Sequence, residues 1–301
     1  MSTLRILHLT DTHLFGDGSK HYNTVDTEDH LRRALAHVAS QEFDVVVCAG
    51  DVSEDGTEAS YELARDIIVP WAADRGARAV FAMGNHDRRP AFRAVLGDAQ
   101  PGADAQALAA DQVNELLGTE PATPIASVAT VDGWRTIVLD TSVPGAGYGS
   151  LDEGQLEFLA SALAEPAEHG TVVVMHHPPV AAQTDLLQAL ALGDDEAARF
   201  WEVLRGSDVR AILSGHYHLP IVEYADGVPV IVAPGVANIA RAFESRAEES
   251  ASDGFGGASI EITRDRVRVV PFERPITDDE VFRFPDDIVR KIIEAAGRPT
   301  A

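Results

Sequence analysis

Five short apolar runs in this chain each stop at residues able to hold a metal ion, and that recurrence constrains the fold more than any other feature. Leu7-His8-Leu9-Thr10 runs into Asp11-Thr12-His13, and Val45-Val46-Val47-Cys48-Ala49 runs into Gly50-Asp51. Val80-Phe81-Ala82-Met83 leads to Gly84-Asn85-His86-Asp87, and Val172-Val173-Val174-Met175 leads to His176-His177-Pro178-Pro179. The last, Ala211-Ile212-Leu213-Ser214, ends at Gly215-His216-Tyr217-His218. Apolar runs of this length read as buried strands. Parallel-type strands leave a crevice at their carboxyl edge where ligands gather, and a rigid sheet fixes donor atoms better than loops alone. An isolated Asp-x-His means little, and a lone core histidine is usually a packing residue. Here six of the 11 histidines fall inside five ordered motifs.

Helical patterns separate these runs, so the chain predicts stacked α/β layers. Strands are expected at 5–10, 44–49, 78–83, 135–140, 171–175 and 209–214, then at 228–232, 258–262 and 267–270. Leu31, Leu35 and Val38 recur at helical spacing, as do Leu63, Ile67 and Trp71. Ser150 and Glu153 stand at capping-box spacing before Leu156, Leu159 and Leu163. Pro70 and Pro166 are expected to mark helix ends. Asp253-Gly254-Phe255-Gly256-Gly257 reads as a loop. Residues 97–118, rich in Ala, Asp and Gln, read as a surface helix. The tail holds one short helix over 286–294, docked through Ile288, Ile292 and Ile293. One domain is expected, with a core over 1–240 and strands and a helix over 241–301 that complete it.

The donor set narrows the chemistry. Imidazole and carboxylate suit zinc, iron and manganese, while no thiolate is offered for softer sites. Asp11 and His13 can leave one strand end toward a single metal, and His216 and His218 share that spacing. Gly50, Gly84 and Gly215 precede candidate ligands, where a residue without Cβ allows a tight turn. Competing motifs fail. Gly145-Ala146-Gly147-Tyr148-Gly149-Ser150 lacks the final glycine of a dinucleotide fingerprint. There is no P-loop, no His-Glu-x-x-His and no Gly-x-Ser-x-Gly elbow.

Charge bounds the partners. With 24 Lys+Arg against 48 Asp+Glu, the net charge of −24 repels nucleic acid and anionic membranes. Neither is an expected partner. Anionic small molecules stay admissible, because two bound divalent cations reverse the local potential. No apolar run approaches the roughly 20 residues of a membrane helix. The start lacks the basic segment and cleavage site of a signal peptide. The single Cys48 cannot form an internal disulfide. The default expectation is a cytoplasmic location.

These motifs together resemble the calcineurin-like metallophosphoesterase superfamily, and within it the class III cyclic nucleotide phosphodiesterases. Leu139-Asp140-Thr141-Ser142-Val143-Pro144-Gly145 and the segment from Leu204 to Leu213 are also similar to that subgroup. The resemblance covers roughly residues 5–235. It implies an α/β fold, a four-layer α/β/β/α sandwich. It also implies that Asp11, His13 and His218 hold one metal, that Asn85, His176 and His216 hold a second, and that Asp51 bridges them. His176 is taken over His177 because the family ligand is the first of the pair. The implied metals are iron with manganese or zinc, or two manganese ions.

Two such cations share a hydroxide, lower its pKa toward neutrality and neutralise charge on the phosphoryl oxygens. By resemblance His86 sits beside the site and protonates the leaving oxygen or stabilises the phosphoryl group. The alternative is that it only orients a ligand. The substrate would meet His13, Asp51, Asn85, His86 and His218. A homodimer is implied by resemblance alone. Departures sharpen the choice: Glu54 stands where purple acid phosphatases carry a tyrosine ligand, and Ser53-Glu54-Asp55 with Asp87 replaces the Ser/Thr phosphatase pattern. A small phosphodiester is therefore the expected substrate, with 3′,5′-cyclic AMP hydrolysis to the monophosphate in the lead. A broad glycerophosphodiesterase is the nearest rival, with selectivity set by loops such as 15–23. A non-catalytic metal-binding scaffold is the reading from a different class.

Overall fold

The computed structural model describes residues 2–97, 117 and 122–299. Most of the expected surface helix over 97–118 lies outside them. Two six-stranded sheets form the centre. The first joins β1 (Leu4–Leu9), β2 (Val45–Ala49), β3 (Arg78–Ala82), β10 (Ile239–Ala240), β11 (Glu249–Ile262) and β12 (Val267–Phe284). Its order is β10-β11-β1-β2-β3, with β12 also paired to β11. The second joins β4 (Ser127–Val131), β5 (Trp134–Val138), β6 (Gly170–Val174), β7 (Val209–Ser214), β8 (Ile221–Ala225) and β9 (Val228–Val232), in the order β4-β5-β6-β7-β9-β8.

Side-chain alternation along the strands explains the four layers. Ile6 on β1, Val45 and Val47 on β2, Val172 and Val174 on β6, and Ala211 and Leu213 on β7 meet in one core between the sheets. Their neighbours face outward. Leu7, Leu9, Val46 and Cys48 pack beneath α1 (Thr27–His37), α2 (Glu58–Ala73) and α3 (Arg89–Leu96). Val173 and Ile212 pack beneath α4 (Glu153–Ala162) and α6 (Asp194–Leu204). Strands covered on both faces need no polar alternation, which is why these runs are continuously apolar. The fold is the expected α/β/β/α sandwich.

The parallel pairs β1–β2–β3 and β5–β6–β7–β9 all end on the same rim, where the polar motifs begin. Most crossovers between these parallel strands run through helices, β7 to β9 through β8 being the exception, and the caps fix where the helices start. Asp26 accepts the Asp29 N–H at the start of α1, and Thr57 accepts that of Ser60 at the start of α2.

Several local expectations are corrected. Asp152, not Ser150, caps α4 by accepting the Gln155 N–H, while the Ser150 hydroxyl donates to Glu196. Pro70 does not end α2, which continues to Ala73 around the missing N–H. Residues 253–257 are not a loop. They lie inside β11, with Gly254 to Gly257 paired to β12, and the glycines answer crowding: a Cβ on Gly256 would sit 2.6 Å from Pro234, and one on Gly257 would sit 2.7 Å from Phe272. β12 runs on to Phe284, far beyond the expected 267–270. The tail helix α7 (Asp286–Ala296) buries Val289, with Ile288, Ile292 and Ile293 half-buried beside it. It packs on α5 (Asp185–Ala189), which the sequence did not signal.

Candidate metal centre

The rim brings the seven candidate ligands together, with His13, Asp51, Asn85, His216 and His218 lining one cavity and Asp11 and His176 grouped with them beneath it. Asp11 and His13 follow β1, Asp51 follows β2, Asn85 follows β3, His176 follows β6, and His216 and His218 follow β7. Nine non-glycine residues among the described ones adopt positive φ, and five of them are Asp11, His13, Asp51, His216 and His218. Left-handed backbone is costly outside glycine and persists only where the surroundings over-determine it. Here the strain turns each chain back across its strand end, so that side chains converge instead of alternating away. Gly50, at φ +100, relieves one such turn, and a Cβ there would also strike the His176 ring at 2.5 Å. Gly84 serves close approach instead of a turn, since its Cβ would lie 2.2 Å from Asp51 Oδ1.

Two donor sets result. Asp11, His13 and His218 form one; Asp51, His176 and His216 form the other, each with ligand atoms within 4.8 Å of one another. Asp11 Oδ1 lies 3.2 Å from His218 Nε2, and Asp51 Oδ2 lies 3.2 Å from His176 Nε2. Asp51 Oδ2 is also 3.8 Å from His13 Nε2, so this carboxylate stands between the sets. Asn85 lines the same cavity as Asp51 and His216.

Neighbouring groups aim the imidazoles. His176 Nδ1 lies 2.8 Å from the Ala49 carbonyl, His218 Nδ1 3.0 Å from Asn238 Oδ1, and His13 Nδ1 2.6 Å from Glu54. With Nδ1 engaged in each, Nε2 points inward. Such partners fix the tautomer and ring orientation of a ligating histidine. His177 differs: Thr141 Oγ1 at 2.8 Å and the Gly147 carbonyl at 3.1 Å occupy both of its nitrogens.

The donor atoms fit metal ions on the structure's own terms. His176 Nε2, His216 Nε2 and Asn85 Oδ1 are buried with no hydrogen-bond partner. Buried polar atoms are ordinarily satisfied, so three orphans facing one place are suited to a cation. Two nitrogens and an amide oxygen beside shared carboxylates match first-row divalent ions.

Sequence reasoning missed two carboxylates here. Glu54 reaches His13 and His86, the latter at 3.0 Å, and these three form a further ligand-type cluster. Buried Asp87 accepts the N–H groups of Gly84, Ser53 and Val52, tying the β2 and β3 rims together. The only sequence signal was adjacency, since Glu54 and Asp87 flank Asp51 and His86. Asp140, in one resemblance motif, holds Arg89 and the Ile125 N–H instead of meeting the centre.

Electrostatics follow from this crowding. Burial would raise the Asp11 carboxyl, but His218 and His176 hold it below the ordinary range. Asp51 behaves alike, with burial outweighed by His176 and His86. For Glu54, burial is outweighed by hydrogen bonds from His13 and His86. Burial lowers His86, yet Asp51 and Glu54 carry it up to about 9. His216 falls to about 3 through burial and the neighbouring His176. The His86 side chain stays 39% exposed at the cavity mouth, and its backbone N–H donates to Asp51 Oδ1. The cavity volume is about 150 Å³.

Comparison with known proteins agrees with this geometry. The model of the calcineurin-like phosphoesterase family matches residues 4–220. A cAMP/cGMP dual specificity phosphodiesterase of Mycobacterium tuberculosis is 33% identical over 297 residues, covering 98% of this chain and 80% of that protein. A 3′,5′-cyclic adenosine monophosphate phosphodiesterase of Escherichia coli K12 is 31% identical over 218 residues, covering 71% of this chain and 70% of its own. Among solved structures, a dimetal phosphatase from Danio rerio superposes with a TM-score of 0.56 at 16% identity, covering 89% of this chain and 98% of the other, a likeness of fold.

Proposed function

The chain belongs to the calcineurin-like phosphoesterase family, and from that premise we propose that it hydrolyses 3′,5′-cyclic nucleotides, cyclic AMP among them, to the 5′-monophosphate. The observation that carries the reading is the meeting of two donor sets at Asp51, beneath a cavity that His86 overlooks. Divalent metal ions are the family's cofactors, and iron with manganese or zinc, or two manganese ions, suit these donors. In our reading Asp11, His13 and His218 hold one ion, Asn85, His176 and His216 hold the other, and Asp51 bridges. Such a pair, when bound, makes water nucleophilic at neutral pH and neutralises phosphoryl charge.

The chain's own groups do the rest. The substrate's phosphate lies over His13, Asp51, Asn85 and His218, and the acidic surface keeps polyanions away. His86, held by Glu54, donates its proton to the leaving 3′ oxygen. Leaving-group protonation in a cyclic diester opens the ring without releasing a second product.

Residues 241–301 complete the same domain in this reading, because β11 lies directly against β1. No helix among the described residues is long and apolar enough to cross a membrane, and we place the protein in the cytoplasm as a homodimer. The reaction is tested by assaying metal-loaded protein on cyclic AMP and glycerophosphocholine side by side. Turnover of cyclic AMP in the larger kcat/KM is expected. A large preference for glycerophosphocholine would replace the proposal with the glycerophosphodiesterase reading, and a metal-loaded protein that turns over neither diester would favour the scaffold.

A further inference from the structure

A line of rings leads away from the donor sets toward the cavity mouth. The His13 and His21 rings lie 4.7 Å apart, His21 meets Tyr22 edge-on at 4.3 Å, and Tyr22 lies 4.5 Å from Phe282. Phe282 in turn stacks on Phe284 at 4.7 Å, with 28° between the planes. Tyr22, Phe282 and Phe284 line the same cavity as the candidate ligands. Only His21 separates a donor of the first set from the Tyr22 ring.

This wall is built for presentation. Tyr22 keeps 40% of its surface exposed and has φ 50, a conformation that bulky residues seldom adopt. The turn that imposes it is closed by His21 N–H to Val25 O at 3.0 Å and Asn23 N–H to Lys20 O at 2.9 Å. Phe282 and Phe284 alternate along β12, so one strand face offers both rings. They come from the end of a strand that begins at Val267, well past the family match at residue 220.

A ligand whose phosphate rests on the donor sets and which extends past His21 would meet these rings. A glycerol headgroup has no flat face to lay there, whereas a nucleobase does, and every base has a π-face that stacks on aromatic side chains. Resting on the cyclic nucleotide reading above, we infer that Tyr22 and Phe282, backed by Phe284, form the platform on which the base of the substrate stacks. The phenylalanine rings carry no hydrogen-bonding group, so they rank bases by stacking area: purines over pyrimidines, and both over no base. The C-terminal strand thus supplies specificity to chemistry assembled by the rest of the chain.

Calorimetry on manganese-loaded protein tests this with AMP and ribose 5-phosphate, which share a phosphoribose and differ in the base. Wild type is expected to bind AMP roughly 5- to 100-fold more tightly, the range that base–aromatic stacking supports. Phe282→Ala should abolish most of that difference and leave ribose 5-phosphate unchanged, while Phe282→Trp restores it. Should the alanine variant fail to fold, Phe282→Leu fills the space without a ring and should behave the same way. An AMP preference that persists in the leucine or alanine variant overturns the platform. Cyclic AMP turnover in the same samples separates the two readings. Turnover with a base preference indifferent to Phe282 removes the platform alone. A Phe282-dependent preference in a protein that hydrolyses only other diesters keeps the platform and removes the cyclic nucleotide reaction.

Discussion

The two sides of the cavity are built in opposite ways. The floor is made of buried charged and imidazole groups held by strained backbone at strand ends, with Nδ1 of His13, His176 and His218 already committed to neighbours. The wall is made of half-exposed rings on a turn and on the edge strand β12, stacked against one another. Collecting carboxylates and imidazoles out of water is expensive unless each is paired, so the floor needs two sheets to hold it. Rings that stack need only area and a fixed plane, so a wall can be hung on a late addition to the sheet. Changes on the floor should therefore abolish chemistry, and changes in the wall should alter preference.

The sharpest break in that contrast is Asp51→Ala. It should empty or scramble both metal positions and take turnover to background, measured by metal analysis beside activity. Two retained metals with full activity would refute its bridging role. His86→Ala comes next, with metal content kept and kcat lowered on the order of 10²–10⁴-fold. If metal content falls instead, His86 is a ligand.

Glu54→Gln tests the supporting carboxylate that the sequence did not flag. Losing its charge beside His13 and His86 should weaken metal affinity by roughly 10–100-fold, read by competition with a chelator. An unchanged affinity would mean that His13 is held well enough by packing.

The last effect concerns stability behind the floor and leaves turnover near neutral pH untouched. His8 is fully buried on β1, neither ring nitrogen has a hydrogen-bond partner, and burial lowers its pKa from 6.5 to about 3. The folded state thus binds the proton less readily than the unfolded one. Stability from this group is complete above pH 6.5 and is lost as pH falls toward 3, by at most about 1.4 kcal/mol per pH unit. His8→Leu should flatten that part of the stability–pH curve in chemical denaturation, while the wall variants leave it alone. An equal slope in both proteins would assign the acid sensitivity to the carboxylates.

How legible the molecule was in its sequence varies with how local the cause is. The ligand motifs were readable because each sits directly after an apolar run, and a strand buried on both faces leaves that mark in composition. The N-terminus of α4 was misplaced by two residues, since Ser150 and Asp152 are equally able caps and Glu196, 46 residues from Ser150, takes the serine hydroxyl. The glycines of β11 were mistaken for a loop because what they avoid, Pro234 and Phe272, is distant in sequence. Glu54 looked like a mere departure from another family's tyrosine until its neighbours were in place.

By itself, then, the order of residues determined the chemistry on offer: which side chains stand at strand ends, what ions they suit, and that the sheets are covered on both faces. These follow from periodicity and donor type, which are properties of short stretches. Only the tertiary structure decided which donors share a position, that Asp51 lies between the two sets, and that a turn near residue 22 meets the end of β12. Those are distances between segments separated by tens to hundreds of residues, and they are fixed by sheet pairing and packing, which no local pattern encodes.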